Sequence, residues 1–299
     1  MKRSILTALL FAGVVSFAVA ADPTHATEPE KLDLNQIDKS GYHLLNPTPV
    51  RYLREMTTDR PDKTESPYTV DAGHFQVEMD LVNFTRDRDT SGGADTRVDA
   101  LAIAPINFKV GLCNRVDLQT VIETYNSVTT DDRVGASKLR QSGFGDVTSR
   151  LKVNFWGNDG GRTAFGVMPF VKFPTSRRGL GNNSVEGGII FPLAVELPAG
   201  FGMGMMTEFD FLRNEAGSGR HVEFINSVTV GHDIVGKLGG YLEFFSAVST
   251  ERDSAWVGTV DVGLTYGLTD NLQLDTGVNL GVTRSADDLN TFLGLSFRF

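Results

Sequence analysis

From Ala72 to its last residue, the chain is written in short segments whose side chains alternate between apolar and polar. A period of two belongs to β-strands and excludes helices. The first segment, His74 to Phe84, sets Phe75, Val77, Met79 and Leu81 against Gln76, Glu78 and Asp80. The second, Thr96 to Val110, sets Val98, Ala100, Ala102, Ala104, Ile106 and Phe108 against Arg97, Asp99, Asn107 and Lys109. The third, Val116 to Asn126, opposes Val116, Leu118 and Ile122 to Asp117, Gln119 and Glu123. The fourth, Gly145 to Trp156, opposes Val147, Leu151, Val153 and Phe155 to Asp146, Arg150, Lys152 and Asn154. Eight less regular segments follow at 162–173, 184–197, 201–212, 221–231, 238–249, 255–267, 272–283 and 289–299. Twelve is even, so both ends of such a sheet lie on one side.

Alternation alone also fits a soluble sandwich, and three features separate the two. Charge sits in mid-strand at Glu78, Asp80, Arg97, Asp99, Arg150, Lys152, Glu208 and Asp210, as a wet lumen allows. Aromatic residues gather near strand ends, with Phe84, Phe173, Phe211 and Trp256 at one level and Phe75, Phe108, Phe155, Phe201 and Tyr266 at the other. Rings favour the two membrane interfaces. Hydrocarbon, finally, leaves no water for strand edges, so a sheet within it must close. These features predict an antiparallel, up-and-down transmembrane β-barrel of twelve strands, with the eight charged residues as lumen candidates. Connections at 111–115, 157–161, 198–200, 232–237 and 268–271 are short, whereas 85–95, 127–144, 174–183 and 213–220 are longer. Short turns on the periplasmic side and long loops outside is the outer-membrane pattern.

The start of the chain agrees with export. Lys2 and Arg3, an apolar run from Ile5 to Val15 and Ala18-Val19-Ala20 read as a signal peptide over residues 1–20. Residues 21–68 are polar and broken by prolines, with a weak helical pattern between Val50 and Met56, and read as a periplasmic extension. Residues 69–299 then form the barrel. A net charge of −9 makes nucleic acid an unsuitable partner. The only cysteine, Cys113, forbids an internal disulfide.

The stretch "MTTDRPDKTESPYTVDAGHFQVE", Met56 to Glu78, resembles the opening of a family of bacterial outer-membrane proteins described as transporters, sometimes under a phenol-degradation heading. Thr58, Asp59, Arg60, Pro61, Asp62, Thr64, Glu65, Ser66 and Pro67 match its motif, followed by Gly73, His74, Phe75, Gln76 and Glu78. The resemblance implies an outer-membrane channel passing small solutes, aromatic ones included. The charges Asp59, Arg60, Asp62 and Glu65 read as a solvated lead-in or, alternatively, as a plug that pairs with lumen charges of both signs, with Arg150 and Lys152 for the acids and Glu78 or Glu208 for Arg60.

The final strand alternates Thr291, Leu293, Leu295, Phe297 and Phe299 against polar residues, with Phe292 as the exception. Leu295, Phe297 and Phe299 resemble the C-terminal signal read by the barrel assembly machinery, which with membrane lipid and a small solute makes up the expected partners. No zinc spacing, phosphate loop or nucleophile elbow appears, and none of the five histidines has Ser two residues later. No catalytic residue, metal or cofactor is therefore assigned. A structural or surface-binding barrel and an outer-membrane lipid hydrolase are the alternatives.

Overall fold

The last strand, Leu289–Arg298, pairs antiparallel with the first, Phe75–Asp89, so the sheet closes on itself. The computed structural model describes residues 34–176, 180, 181, 183–214 and 218–299, and the expected signal peptide lies outside them. Fifteen strands are present among the described residues: β1 (Phe75–Asp89), β2 (Thr96–Ile103), β3 (Ile106–Cys113), β4 (Val116–Ile122), β5 (Tyr125–Asp132), β6 (Ser137–Gly143), β7 (Val147–Trp156) and β8 (Thr163–Phe173), then β9 (Glu186–Glu196), β10 (Gly202–Arg213), β11 (Arg220–Val235), β12 (Leu238–Ser249), β13 (Val257–Thr269), β14 (Leu272–Gly281) and β15 (Leu289–Arg298). The pairs β2/β3, β4/β5 and β6/β7 are successive halves of three staves, so the fifteen make a twelve-stave barrel. Neighbouring staves pair antiparallel throughout.

Burial is inverted relative to a soluble protein. Leu118, Leu151, Val171, Leu242, Val262, Leu264, Leu280 and Leu293 are exposed, whereas Gln76, Glu78, Asp117, Gln119, Lys152, Glu243, Asp261 and Ser296 are buried. In water this arrangement is unfavourable; in lipid the outer leucines replace acyl-chain contacts and the polar groups satisfy one another inside. Phe173, Phe211 and Trp256 stay exposed at one level, and Phe155, Phe201 and Tyr266 at the other, forming the two expected aromatic bands. Phe75 stacks on Phe108 at 5.9 Å and on Phe299 at 5.5 Å, which ties the start of the first strand to the end of the last at the rim.

Several boundaries differ from those expected. The 127–144 loop is instead a hairpin of β5 and β6 turning at 133–136, where Asp132 accepts the Val134 and Gly135 amides. It rises where water or headgroups meet both faces, so no apolar row marks its strands. The first strand runs on to Asp89 and pairs there with β2, so residues 85–89 of the 85–95 connection are also strand. The 232–237 turn shrinks likewise, because β11 continues to Val235. Between Val50 and Met56 only a 3₁₀ turn forms, at Val50–Tyr52.

The expected second strand is broken at Ala104-Pro105, with Ala104 at φ 53°. This break reverses the faces beyond it. Asn83 lies opposite both Phe292 and Ala102, and Phe292 points inward, so Val98, Ala100 and Ala102 face in while Arg97 and Asp99 face out. The uniform alternation read from Thr96 to Val110 therefore holds only in β3.

Candidate functional site

Residues 34–56 lie across the rim that carries both ends of the barrel, where Leu44 N–H bonds Leu112 O. The chain then enters the lumen between Arg54 and Thr69. Glycines at inward positions make room for it. A Cβ on Gly111 would lie 2.0 Å from the Asp71 carbonyl oxygen, and one on Gly294 would lie 2.1 Å from the Arg60 guanidinium. Glycine inside a strand often marks such a close approach.

The inserted residues meet the wall with complementary charge. Asp59, itself buried, accepts from Lys152 Nζ at 2.5 Å and from Lys109 Nζ, while its backbone N–H reaches Glu78 Oε2 at 3.1 Å. Lys109 also pairs with Glu78. Arg60 points the other way, with NH1 2.6 Å from Asp80 Oδ1 and NH2 2.7 Å from Asp275 Oδ1. Its guanidinium also lies 5.3 Å from the Phe292 ring centroid. Lys63 Nζ approaches Asp261 at 3.1 Å, and Glu243 accepts the Lys63 and Thr64 amides at 2.9 and 2.8 Å. Glu65 takes Arg150 NH1 at 2.6 Å. Cations of the segment thus meet carboxylates on β1, β13 and β14, and its acids meet the cations of β3 and β7.

A second cluster closes the base of this loop. Arg54 donates its backbone N–H to Asp71 Oδ2 at 3.1 Å and NH2 to the Thr69 carbonyl at 3.0 Å. Arg298 NH1 lies 3.4 Å from Asp71, and Lys39 Nζ 2.8 Å from Asp159. The loop between Arg54 and Thr69 is therefore tied at its neck as well as along its length.

Two carboxyls of the loop have opposite protonation behaviour. Burial alone would raise the pKa of Asp59, but Lys109 and Lys152 outweigh it and hold the carboxyl well below the usual carboxylate range. Asp62 meets no such cation. Burial, reinforced by the charge of Glu243, pushes its carboxyl well above that range.

The structure brings together Asp59, Arg60, Glu65, Glu78, Asp80, Arg150 and Lys152 of the residues singled out from sequence. Glu208 is buried in the lumen with Asp210 beside it, but neither receives Arg60, for which Glu78 or Glu208 is the partner suggested by the sequence. Arg97 and Asp99 lie apart, bonded to each other on the outward face. Leu295, Phe297 and Phe299 end the outward row of β15, with Phe297 and Phe299 stacked at 6.0 Å. Lys39, Lys63, Arg54, Asp71, Asp261, Asp275 and Arg298 are additional partners. Asp261 and Asp275 share the mid-strand charge that marks the other lumen residues, but the pairings join residues up to 244 positions apart and leave no local signal. Among the described residues no group of three His, Cys, Asp or Glu could hold a metal ion.

Residues 58–299 match the sequence profile of a family described as "Putative MetA-pathway of phenol degradation". The chain belongs to that family. No functionally curated protein matches it. Among solved structures, it is similar to an outer-membrane channel from Pseudomonas putida F1, at TM-score 0.59 and 11% identity, covering 81% of this chain and 100% of that one. The NanC porin gives TM-score 0.47 and 13% identity over 75% of this chain and 98% of that one. The CymD monoaromatic hydrocarbon channel gives 0.42 and 8% over 75% and 87%. At these identities the likeness concerns fold alone, and the fold is that of an outer-membrane β-barrel.

Proposed function

We propose that the protein is an outer-membrane channel for small solutes, aromatic ones included, in which residues 57–68 form the gate. The observation that carries this reading is the paired charge of loop and wall: Arg60 and Lys63 on carboxylates, Asp59 and Glu65 on cations. Each contact is a side-chain ion pair within a polar lumen, which water can replace when the loop leaves. Residues that would merely lead the chain to the membrane need no such complementarity.

An apolar patch on the lumen wall supports the choice of solute. Met168, Ile190 and Met206 are buried together, with Phe170 and Ile225 packed against them. The Glu65 amide points to Met206 Sδ at 3.5 Å, so withdrawal of the loop uncovers a surface suited to an uncharged ring. Membership in a family described by phenol degradation favours the same class. The exposed leucine belt suits acyl chains as partners. The terminal Phe299, 60% exposed at the rim, suits recognition by the assembly machinery more than packing.

Uptake into proteoliposomes tests the reading. A phenol-sized neutral aromatic should enter faster than a sugar phosphate of similar mass, and faster still without the loop. Equal entry of both in the loop-deleted barrel would reject the solute class, and no entry of either would favour a structural barrel. Release of fatty acid from lipid by the purified protein would instead support a hydrolase.

A further inference from the structure

We propose that the outward face of the barrel's raised side is a docking site for the phosphorylated headgroup of an outer-leaflet glycolipid. The four strands β1, β2, β5 and β6 rise above the rim opposite the termini, and their register defines which residues face out. Phe84 lies opposite Leu101, Arg86 opposite Asp99 and Arg88 opposite Arg97, all on the face turned away from the lumen. Across β5, this row continues to Arg140 and Lys138 on β6, opposite Thr129 and Asp131.

Six cations gather here: Arg86, Arg88, Arg97, Arg133, Lys138 and Arg140. Three carboxylates accompany them. Asp99 pairs with Arg86 at 2.8 Å and with Arg97, Asp95 pairs with Arg88 at 2.8 Å, and Arg133 stands 3.9 Å from both Asp95 and Asp131. Asp288 on a neighbouring loop also acts on Arg88, so the patch keeps an excess of two positive charges on a chain whose net charge is −9. Lys138 and Arg140 are exposed, and neither has a carboxylate within 4.0 Å among the described residues; Arg140 Nε reaches only Ser127 Oγ at 3.2 Å.

Position identifies the occupant. Immediately below the cations on the same face lie Phe84, Leu101, Ile103 and Tyr125, the last two exposed, which continue the apolar belt. A ligand filling both halves needs acyl chains beside the rings and anionic groups about one strand-length pair of residues higher. A soluble anion would use only the upper half. A phosphorylated glycolipid uses both, and arginine offers phosphate two parallel N–H donors. Fixed guanidinium–carboxylate pairs hold Arg86, Arg88 and Arg97 extended in the row, leaving Lys138 and Arg140 to close on the phosphate.

Native mass spectrometry of the refolded full chain with bis-phosphorylated lipid A tests the site. The wild-type barrel should retain it, and chemically dephosphorylated lipid A should bind more weakly. The double variant K138Q/R140Q, whose residues make no ion pair in the fold, should lose about 30-fold in affinity, from about 1 kcal/mol per basic residue at an anionic lipid surface. R252Q, at an exposed loop on the same rim, should leave binding unchanged. Heat-modifiable electrophoretic mobility reports that each variant is folded. Equal retention of the two lipids, unchanged binding in folded K138Q/R140Q, or an equal loss in R252Q would overturn the proposal.

Discussion

Replacing Arg60 by Ala isolates the contact on which the proposed gate most depends. The guanidinium bridges Asp80 and Asp275 at 2.6 and 2.7 Å, and the two carboxyl side chains are 8% and 0% exposed. Removing one member of a buried ion pair costs about 3–5 kcal/mol, because the remaining charge is left uncompensated. Here water can re-enter from the lumen, which places the cost near the lower figure, about 3 kcal/mol. Tenfold per 1.4 kcal/mol converts this into a roughly 100-fold rise in the ratio of released to seated loop. Planar-bilayer recording reads that ratio as the ratio of open to closed time. Arg60→Ala/Asp275→Asn should recover part of the loss, since one of the orphaned charges is gone. Gly294→Val supplies an independent route, because its Cβ would occupy the Arg60 NH2 position without removing any charge. A folded Arg60→Ala barrel with the gating of the wild type would refute the reasoning, as would a silent Gly294→Val.

Three other outcomes follow from the same geometry. Because the Asp59 pKa is depressed, its stabilisation of the seated loop is fully present above the ordinary carboxylate value, about 3.9, and is lost as pH falls through the lower folded value. Asp62 has the opposite sign: its raised pKa favours seating below about 3.9, and that contribution disappears as pH rises through the folded value, so Asp62→Asn should abolish the accompanying rise in conductance with pH. Leu151→Arg, on the exposed outer face, should cost about 2–4 kcal/mol near the bilayer midplane, whereas Thr148→Arg, inward beside Lys172, should assemble and change permeation; equal refolding yields would contradict the assigned register. Deleting Phe299 removes a rim ring whose burial is worth about 1–2 kcal/mol, so detergent refolding should persist while outer-membrane yield in cells falls, and normal cellular insertion would refute an assembly role.

The sequence shows most clearly those parts of the barrel that touch hydrocarbon. β3, β4 and β7 alternate without a break because lipid lies on one side and the polar lumen on the other. Phe292 interrupts the alternation of the last strand because its ring faces inward against Arg60. The β5–β6 hairpin is hidden because, beyond the membrane, neither face needs to be apolar. Arg97 and Asp99 look like lumen residues because the reversal at Ala104-Pro105 depends on one backbone conformation, which side-chain pattern does not record. The loop's charges mark it as polar, but they do not say which wall charges it meets. Those partners follow from closure of the whole barrel, which places Asp275 and Asp80 together although 195 residues separate them in sequence.

In the proposed channel the inserted loop, more than the barrel wall, limits passage. Single-channel conductance of the barrel lacking residues 22–66, compared with the full chain under the same salt and voltage, tests it most directly. Retained heat-modifiable mobility establishes that the barrel has closed. The deleted form should show a clearly larger and more persistent conductance, since Arg60, Lys63, Asp59 and Glu65 leave the lumen together. A folded barrel without these residues that conducts no better than the full chain would contradict it.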